Sequence, residues 1–254
     1  MSKTTLLQGT PPLLRPAIFA ESEGIVAAMS TRQGGISPEP MGLNLSFRVG
    51  DDEGNVRRNR ELFFGSLGIL PSELAIPDQV HGALVRRVDG PGTVPDCDAL
   101  ITATPRVFLC LTIADCVPVL LYDRSAGAIA AVHAGWRGTT AGILGRALKL
   151  LFDEFGCSPS RVLAYLGPAA SACCYTVGDD VASRFDRRFV IATHSGPVVD
   201  LKQANLQQLI DAGVPARNIE VSSSCTISES ALFHSFRRER DRSGRMMAVI
   251  GLKE

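Results

Sequence analysis

Imidazoles and thiols are few enough in this chain to be followed one by one: four histidines and seven cysteines in 254 residues. One histidine, His133, closes a run of small apolar residues in "AIAAVHAGWRG", and Cys116 stands upstream in "TIADCVPVLLYD". A thiol and an imidazole within reach of each other can serve as nucleophile and base, or as two ligands of one metal ion. Reach is decided by strand pairing. A turn at "DRSAGA" would fold the two stretches into a hairpin. A two-residue loop at Ser125-Ala126 pairs Arg124 with Gly127, a four-residue loop pairs Asp123 with Ala128, and both give one register. Val119 then faces Val132, Pro118 faces His133 and Cys116 faces Gly135. Because side chains alternate, Cys116 and His133 share a face as diagonal neighbours, about 7–8 Å apart at Cα. Pro118 has no N–H to give the ladder, which points to fraying or an edge there.

A catalytic zinc takes a third protein ligand and leaves its fourth position open. Three histidines remain. His81, in "DQVHGALV", suits an ordered strand end; His194, in "ATHSGP", an exposed loop; His234, in "ALFHSFRRER", a strand or the surface. Both members of the pair also have plain structural readings, Cys116 as core filler and His133 as a satisfied histidine. Cys110, Cys157, Cys225 and the adjacent Cys173 and Cys174 are read as packing residues.

The elements that position these groups alternate in type. Residues 1–16 are expected to form a loosely ordered leader, and 17–254 a single catalytic domain. "GIVAAMSTR" (24–32) reads as a strand followed by a loop. A helix is expected from Asp52 to Leu67, with Val56, Phe63 and Leu67 on one face. Short strands follow around "QVHGALVRRV", then the apolar stretch 107–123. Residues 138–155 read as a helix with Ala141, Leu144, Leu148, Leu151 and Phe155 inward. "RVLAYLG" reads as a strand, 200–213 as a helix with Asp200 as N-cap, and "NIEVSSS" and "RMMAVIG" as closing strands. Hairpins mixed with helices give an α+β class with mixed, largely antiparallel sheets. No dinucleotide fingerprint or P-loop is present.

Lys+Arg and Asp+Glu number 26 each. With no basic excess, nucleic acid is not an expected partner, and nothing points to a membrane surface. The segment "MSKTTLLQGTPPLL" lacks the apolar core of a signal peptide, and the odd cysteine count suits a reducing cytoplasm. A cytoplasmic monomer acting on a small molecule is expected.

Further words in the sequence carry a resemblance. "STRQGGIS", "LNLSFRVGDD" with "NR" at 59–60, "DQVHG", "CDALIT", "TIADCVPVLL", "AVHAGWRGT", "GPAASACCYTVG", "DL" with Asn205, "SCT", and "SFRR" with "GR" at 244–245 run in order through nearly the whole chain. In them the chain resembles the YfiH-type laccase-domain family, also called polyphenol oxidases and now assigned to purine nucleoside metabolism. The resemblance implies a zinc site at His81, Cys116 and His133, and a fold similar to the toxin-like Cys/His hydrolases. Two departures stand out: Thr176 replaces a glutamate often found between the Tyr and Val, and "GPAAS" lacks a cysteine often found after Gly-Pro.

The resemblance further implies phosphorolysis of purine nucleosides (adenosine, inosine, methylthioadenosine) and deamination of adenosine. A three-ligand zinc with acidified water suits the second reaction. The first needs a phosphate cradle. Arg137 is the leading candidate, beside His133 at the expected helix start, with Arg48 and Arg32 as further candidates. Trp136 could stack on a purine. Copper could occupy the same three ligands and oxidise phenols, but four histidines cannot also build the trinuclear cluster of ordinary laccases. A Cys116–His133 thiol hydrolase without metal and a metal-stabilised scaffold are the remaining readings.

Overall fold

The fold is taken from a computed structural model that describes residues 4–9 and 11–253. Its strands are β1 (Thr5–Leu7), β2 (Leu13–Arg15), β3 (Ile25–Ser30), β4 (Leu74–Pro77), β5 (Val85–Arg87), β6 (Gly92–Val94), β7 (Ala99–Thr102) and β8 (Phe108–Ile113). They continue as β9 (Val117–Asp123), β10 (Ala128–Ala134), β11 (Val162–Leu166), β12 (Val190–Thr193), β13 (Gly196–Val199), β14 (Ile219–Val221) and β15 (Met246–Leu252). The helices are α1 (Glu53–Gly65), α2 (Trp136–Thr140), α3 (Ile143–Phe155), α4 (Asp179–Ala182), α5 (Leu201–Asp211) and α6 (Phe236–Glu239).

Two sheets stack face to face. One runs β1-β2-β3-β15-β8-β4-β6 and the other β14-β11-β9-β10-β7-β5, with β12-β13 a separate hairpin. Most pairs are antiparallel; β4 with β6 and β8, β5 with β7, and β11 with β14 are parallel. This is the expected α+β class with mixed, largely antiparallel sheets. Period-two alternation sorts each strand between two cores. On β9, Val117, Val119 and Leu121 pack outward beneath α3 and α5, while Leu120 and Tyr122 point into the space between the sheets. On β10, Ala128, Ala130 and Val132 go outward and Ile129 and Ala131 inward. With both faces covered, these strands show as unbroken apolar runs. A third cluster fills the far side of the other sheet, where Phe63 and Phe64 of α1 meet Cys110 and Val249.

The hairpin register is as expected: Val119 pairs with Val132 and Pro118 with His133, with Asp123↔Ala128 closing a four-residue loop. Asp52 caps α1 through Asn55 N, and Asp200 caps α5 through Gln203 N.

Four expectations need correction. The supposed leader is stitched into a sheet, with β2 paired to β3, because Leu13 and Leu14 each find an apolar cluster, one on either face; Met1–Lys3 and Thr10 lie outside the described residues. The helix read over 138–155 is two helices, broken where Gly142 takes a left-handed φ of 72°. The helix read to Leu67 stops at Gly65. His234 is at neither a strand nor the surface; it is fully buried in a loop.

Candidate active site

The stretch 107–123 leaves one sheet at Ile113 and enters the other at Val117. The crossing is made at Asp115, whose φ is 84°. Its buried carboxylate accepts from Thr226 Oγ1 at 2.7 Å and Arg237 N at 2.6 Å, and its carbonyl accepts from Ala170 N at 2.9 Å. Cys116 follows at once, just before β9 and in line with its inner face. His133 stands on the inner face of β10 beside it. Asp98 stands just before β7, the other neighbour of β10, where His133 N donates to the Asp98 carbonyl at 2.8 Å. Three adjacent strands thus present a thiol, an imidazole and a carboxylate on one face.

Asp98 is fully buried and saturated. Its Oδ1 accepts from His81 N at 2.9 Å and lies 2.8 Å from His133 Nδ1. Its Oδ2 accepts from Gly82 N at 2.7 Å and Val80 N at 3.2 Å. An ionised carboxylate only accepts, so His133 Nδ1 carries a proton, and Nε2 is the atom that can ligate a metal once it sheds its own. The same carboxylate pins the Val80–Gly82 turn, in which His81 has a φ of 59°. The His81 and His133 rings meet edge to face, 5.0 Å between centroids. The ligand atoms of His81, Cys116 and His133 all lie within 4.8 Å of one another. Two glycines permit this closeness: a Cβ on Gly135 would sit 2.9 Å from Cys116 Sγ, and one on Gly138 2.8 Å from the Gly82 carbonyl.

Charge follows from the geometry. Burial opposes the Cys116 thiolate, but the His133 charge and hydrogen bonds from His133 and His81 overcome it and bring the thiol down to about 6. Burial likewise opposes the His133 cation, which Cys116 and Asp98 raise to about 9. Without metal the pair is thiolate and imidazolium. The donor set, two imidazoles and one thiolate with a carboxylate behind one of them, fits zinc with a position left open, and fits copper as well.

The trio opens onto a cavity of about 620 Å³, whose lining includes Phe47, Arg48, Arg60, Gln79, Trp136, Arg137, Tyr175, Phe236, Arg237 and Arg245. Among the described residues, Arg60, Arg137, Arg237 and Arg245 have no carboxylate within ion-pair distance of their guanidinium groups. Burial lowers Arg60 and Arg245. Arg137 lies over the Trp136 ring, 4.2 Å from its centroid. Its helix α2 has only five residues, so the side chain rather than a helix terminus is its asset. Arg48 lines the cavity too but pairs with Asp78.

Arg32, the third arginine expected here, lies elsewhere. It is clamped by Glu239 at 2.7 Å, Glu39 at 3.1 Å and the Pro40 carbonyl at 2.6 Å, a structural tie between loops. Asp98, Arg60, Arg237 and Arg245 were not singled out from the sequence. Asp98 lies in "CDALIT" and Arg60 in "NR", so the words were visible and the roles were not. Asn59, beside Arg60, turns inward and bonds Ser37 Oγ and the Gly42 and Asn44 carbonyls, which anchors the preceding loop. Cys173 is exposed and not a packing residue.

The sequence model of the family described as "Multi-copper polyphenol oxidoreductase laccase" matches residues 26–253. The chain is 38% identical over 250 residues to "Purine nucleoside phosphorylase YlmD" of Geobacillus stearothermophilus, with 91% of each chain covered. It is 40% identical over 242 residues to "Purine nucleoside phosphorylase" of Deinococcus radiodurans, with 93% of each covered. The crystal structure of YlmD from G. stearothermophilus superposes with a TM-score of 0.91 at 37% identity, covering 99% of this chain and 100% of that one. The Bacillus licheniformis hypothetical protein YfiH also gives 0.91, at 33% identity, covering 98% and 99%.

Proposed function

The chain belongs to the multi-copper polyphenol oxidoreductase laccase family, and from that premise we propose that it is a metal-dependent purine nucleoside phosphorylase that also deaminates adenosine. The observation that carries the reading is the cavity itself: the His81–Cys116–His133 group faces a chamber rich in guanidinium groups that lack carboxylate partners. Half-buried cations such as Arg60 and Arg245 are unfavourable without counter-charge, and an anionic substrate relieves them. The relatives' names agree with inorganic phosphate as that anion.

His81 Nε2 or Nδ1, Cys116 Sγ and His133 Nε2 would hold the metal, zinc by preference, which when bound supplies Lewis acidity beside the nucleoside. The chain's own residues do the rest. Arg137, Arg60 and Arg245 grip phosphate, with Arg48 at the rim; planar forks match its oxygens in pairs. Trp136, Tyr175, Phe47 and Phe236 offer ring surfaces for the purine. In phosphorolysis a phosphate oxygen bonds to ribose C1′, the C1′–N9 bond breaks, and its electrons leave on the purine. In deamination water adds at C6 and ammonia leaves, without phosphate. The cavity volume suits a nucleoside with a phosphate.

Chromatography of products from inosine and adenosine, with and without phosphate and chelator, tests this. Hypoxanthine from inosine should require phosphate and metal, and inosine from adenosine only metal. Absence of phosphate-dependent cleavage with metal-loaded protein overturns the proposal.

One observation favours a second reading. The Cys116 thiolate, His133 imidazolium and Asp98 carboxylate also have the order of a thiol hydrolase triad. His81→Ala separates the two, since His81 is a ligand in one and idle in the other. Copper in the same three ligands would support phenol oxidation. A trinuclear cluster has no ligands to draw on, because His194 is exposed on a hairpin and His234 is buried outside the group.

A further inference from the structure

A second sulfur cluster plays no part in the reaction proposed above. Cys173, Cys174 and Cys225 bring three Sγ atoms within 4.8 Å of one another, and the adjacent pair stand 3.1 Å apart. The fold builds this meeting deliberately in two steps. Ala169 bridges to Cys225 in parallel, with Thr226 N donating to the Ala169 carbonyl at 3.1 Å. The amides of Cys174 and Tyr175 then both return to the Ser171 carbonyl, at 3.0 Å, in a tight turn that carries the two neighbouring thiols to the third.

Packing does not account for the cluster, since Cys173 is exposed while Cys225 is 4% exposed. Its donors form a graded path from solvent to interior. The inner sulfur is ringed by donors: the backbone N–H groups of Ser228, Ser171 and Ile227 and the Ser228 hydroxyl are directed at Cys225. Lys202 Nζ, held by the Ser222 and Ser224 carbonyls at 2.8 and 3.0 Å, places an ammonium behind the sulfurs. Sulfurs sharing one ion at metal–sulfur distances of about 2.3 Å stand roughly 3.8–4.0 Å apart. With all three sulfurs within 4.8 Å of one another, reaching that figure needs the 3.1 Å Cys173–Cys174 pair to open by under 1 Å. The group contains no imidazole and no carboxylate. An all-sulfur set rejects hard ions such as Mg²⁺ and Ca²⁺ and selects soft ones, and three sulfurs complete a trigonal shell for a monovalent d¹⁰ ion.

We propose that Cys173, Cys174 and Cys225 form a three-thiolate site for one Cu(I) ion, distinct from the His81–Cys116–His133 group. Each coordinating thiol gives its proton to solvent and no electron is transferred. None of the three sulfurs lines the cavity, so the site stands whether or not the phosphorylase reading does.

The test is an anaerobic titration of the whole protein with Cu(I) against a chromophoric Cu(I) chelator. It is run on wild type, Cys173→Ser and Cys173→Ser/Cys174→Ser, since these exposed and half-exposed positions leave the core intact. The double variant should lose about one equivalent of Cu(I), and the single variant should bind that equivalent at least tenfold more weakly. Cysteine alkylation followed by mass spectrometry should show Cys173, Cys174 and Cys225 protected together as that equivalent fills. Equal stoichiometry and affinity in wild type and the double variant overturns the proposal. So does a Cu(I) complement that protects Cys116 while Cys173 and Cys174 react at unchanged rates.

Discussion

Replacing Asp98 by Asn changes one charge and almost no volume, and the site's geometry fixes what it must cost. Both carboxylate oxygens accept twice: Oδ1 from His81 N and His133 Nδ1, Oδ2 from Val80 N and Gly82 N. An amide has one acceptor oxygen. If it faces His81 and His133, the new NH₂ confronts the Val80 and Gly82 amides. If it is flipped, the His133 ring loses its partner. Either way two donors lose their acceptor, but the Val80–Gly82 amides are only part-buried, so stability should fall by about 1–3 kcal/mol. For a chain of this size that lowers the melting temperature by at least about 2 °C. Losing the carboxylate behind a ligating imidazole should weaken metal binding a further 10–100-fold, or about 1.4–2.7 kcal/mol. The assay is zinc competition against a chromophoric chelator on folded protein, paired with thermal melts. An Asp98→Asn protein that melts with wild type and holds zinc equally well would refute Asp98 as the group that orients both histidines.

Three other outcomes are expected. Gly135→Ala should push a methyl to within 2.9 Å of Cys116 Sγ, costing about 1–3 kcal/mol by overpacking and reducing metal content in elemental analysis. Arg137→Ala should damage phosphorolysis more than deamination, by about 2–5 kcal/mol in kcat/KM for phosphate, with little rescue by Arg137→Lys, since an ammonium lacks the fork; steady-state kinetics on inosine and adenosine decide it. Burial, then the charges of Arg32, Arg245 and Arg238, with Glu239 opposing, lower His234 from 6.5 to about 3. The unfolded chain therefore binds the proton first, so stability present above pH 6.5 is lost as pH falls towards 3; chemical denaturation should show about 2 kcal/mol lost by pH 5, absent in His234→Gln.

What was legible in the sequence was local. The hairpin register followed from a short turn and strict alternation, and it put Cys116 and His133 together without other help. His81 came from the family's words, since no spacing rule joins it to residues more than thirty positions away. Asp98 stayed without a role because only the pairing of β7 with β10 sets it beside His133, and that pairing has no sequence signature. Arg60, Arg237 and Arg245 reach the cavity by the same kind of long-range closure, while Arg32, equally prominent in its motif, turns to Glu39 and Glu239 instead. The leader was misread because a three-residue strand such as Leu13–Arg15 is too short to show a period. The helix break escaped because a glycine such as Gly142 is often tolerated within a helical pattern.

The division of the site between strands and loops has an evolutionary consequence. Cys116 and His133 ride on a ladder where a slip of one residue would turn every side chain on the strand to the opposite core. Mutation can scarcely adjust them by degrees. The Phe47, Arg48, Phe236, Arg237 and Arg245 wall comes from loops and a short helix, which accept substitution and changes of length far more readily. Selection acting on such a scaffold can replace the molecule that is recognised while inheriting the reactive centre whole, so the substrate can drift across descendants faster than the chemistry does.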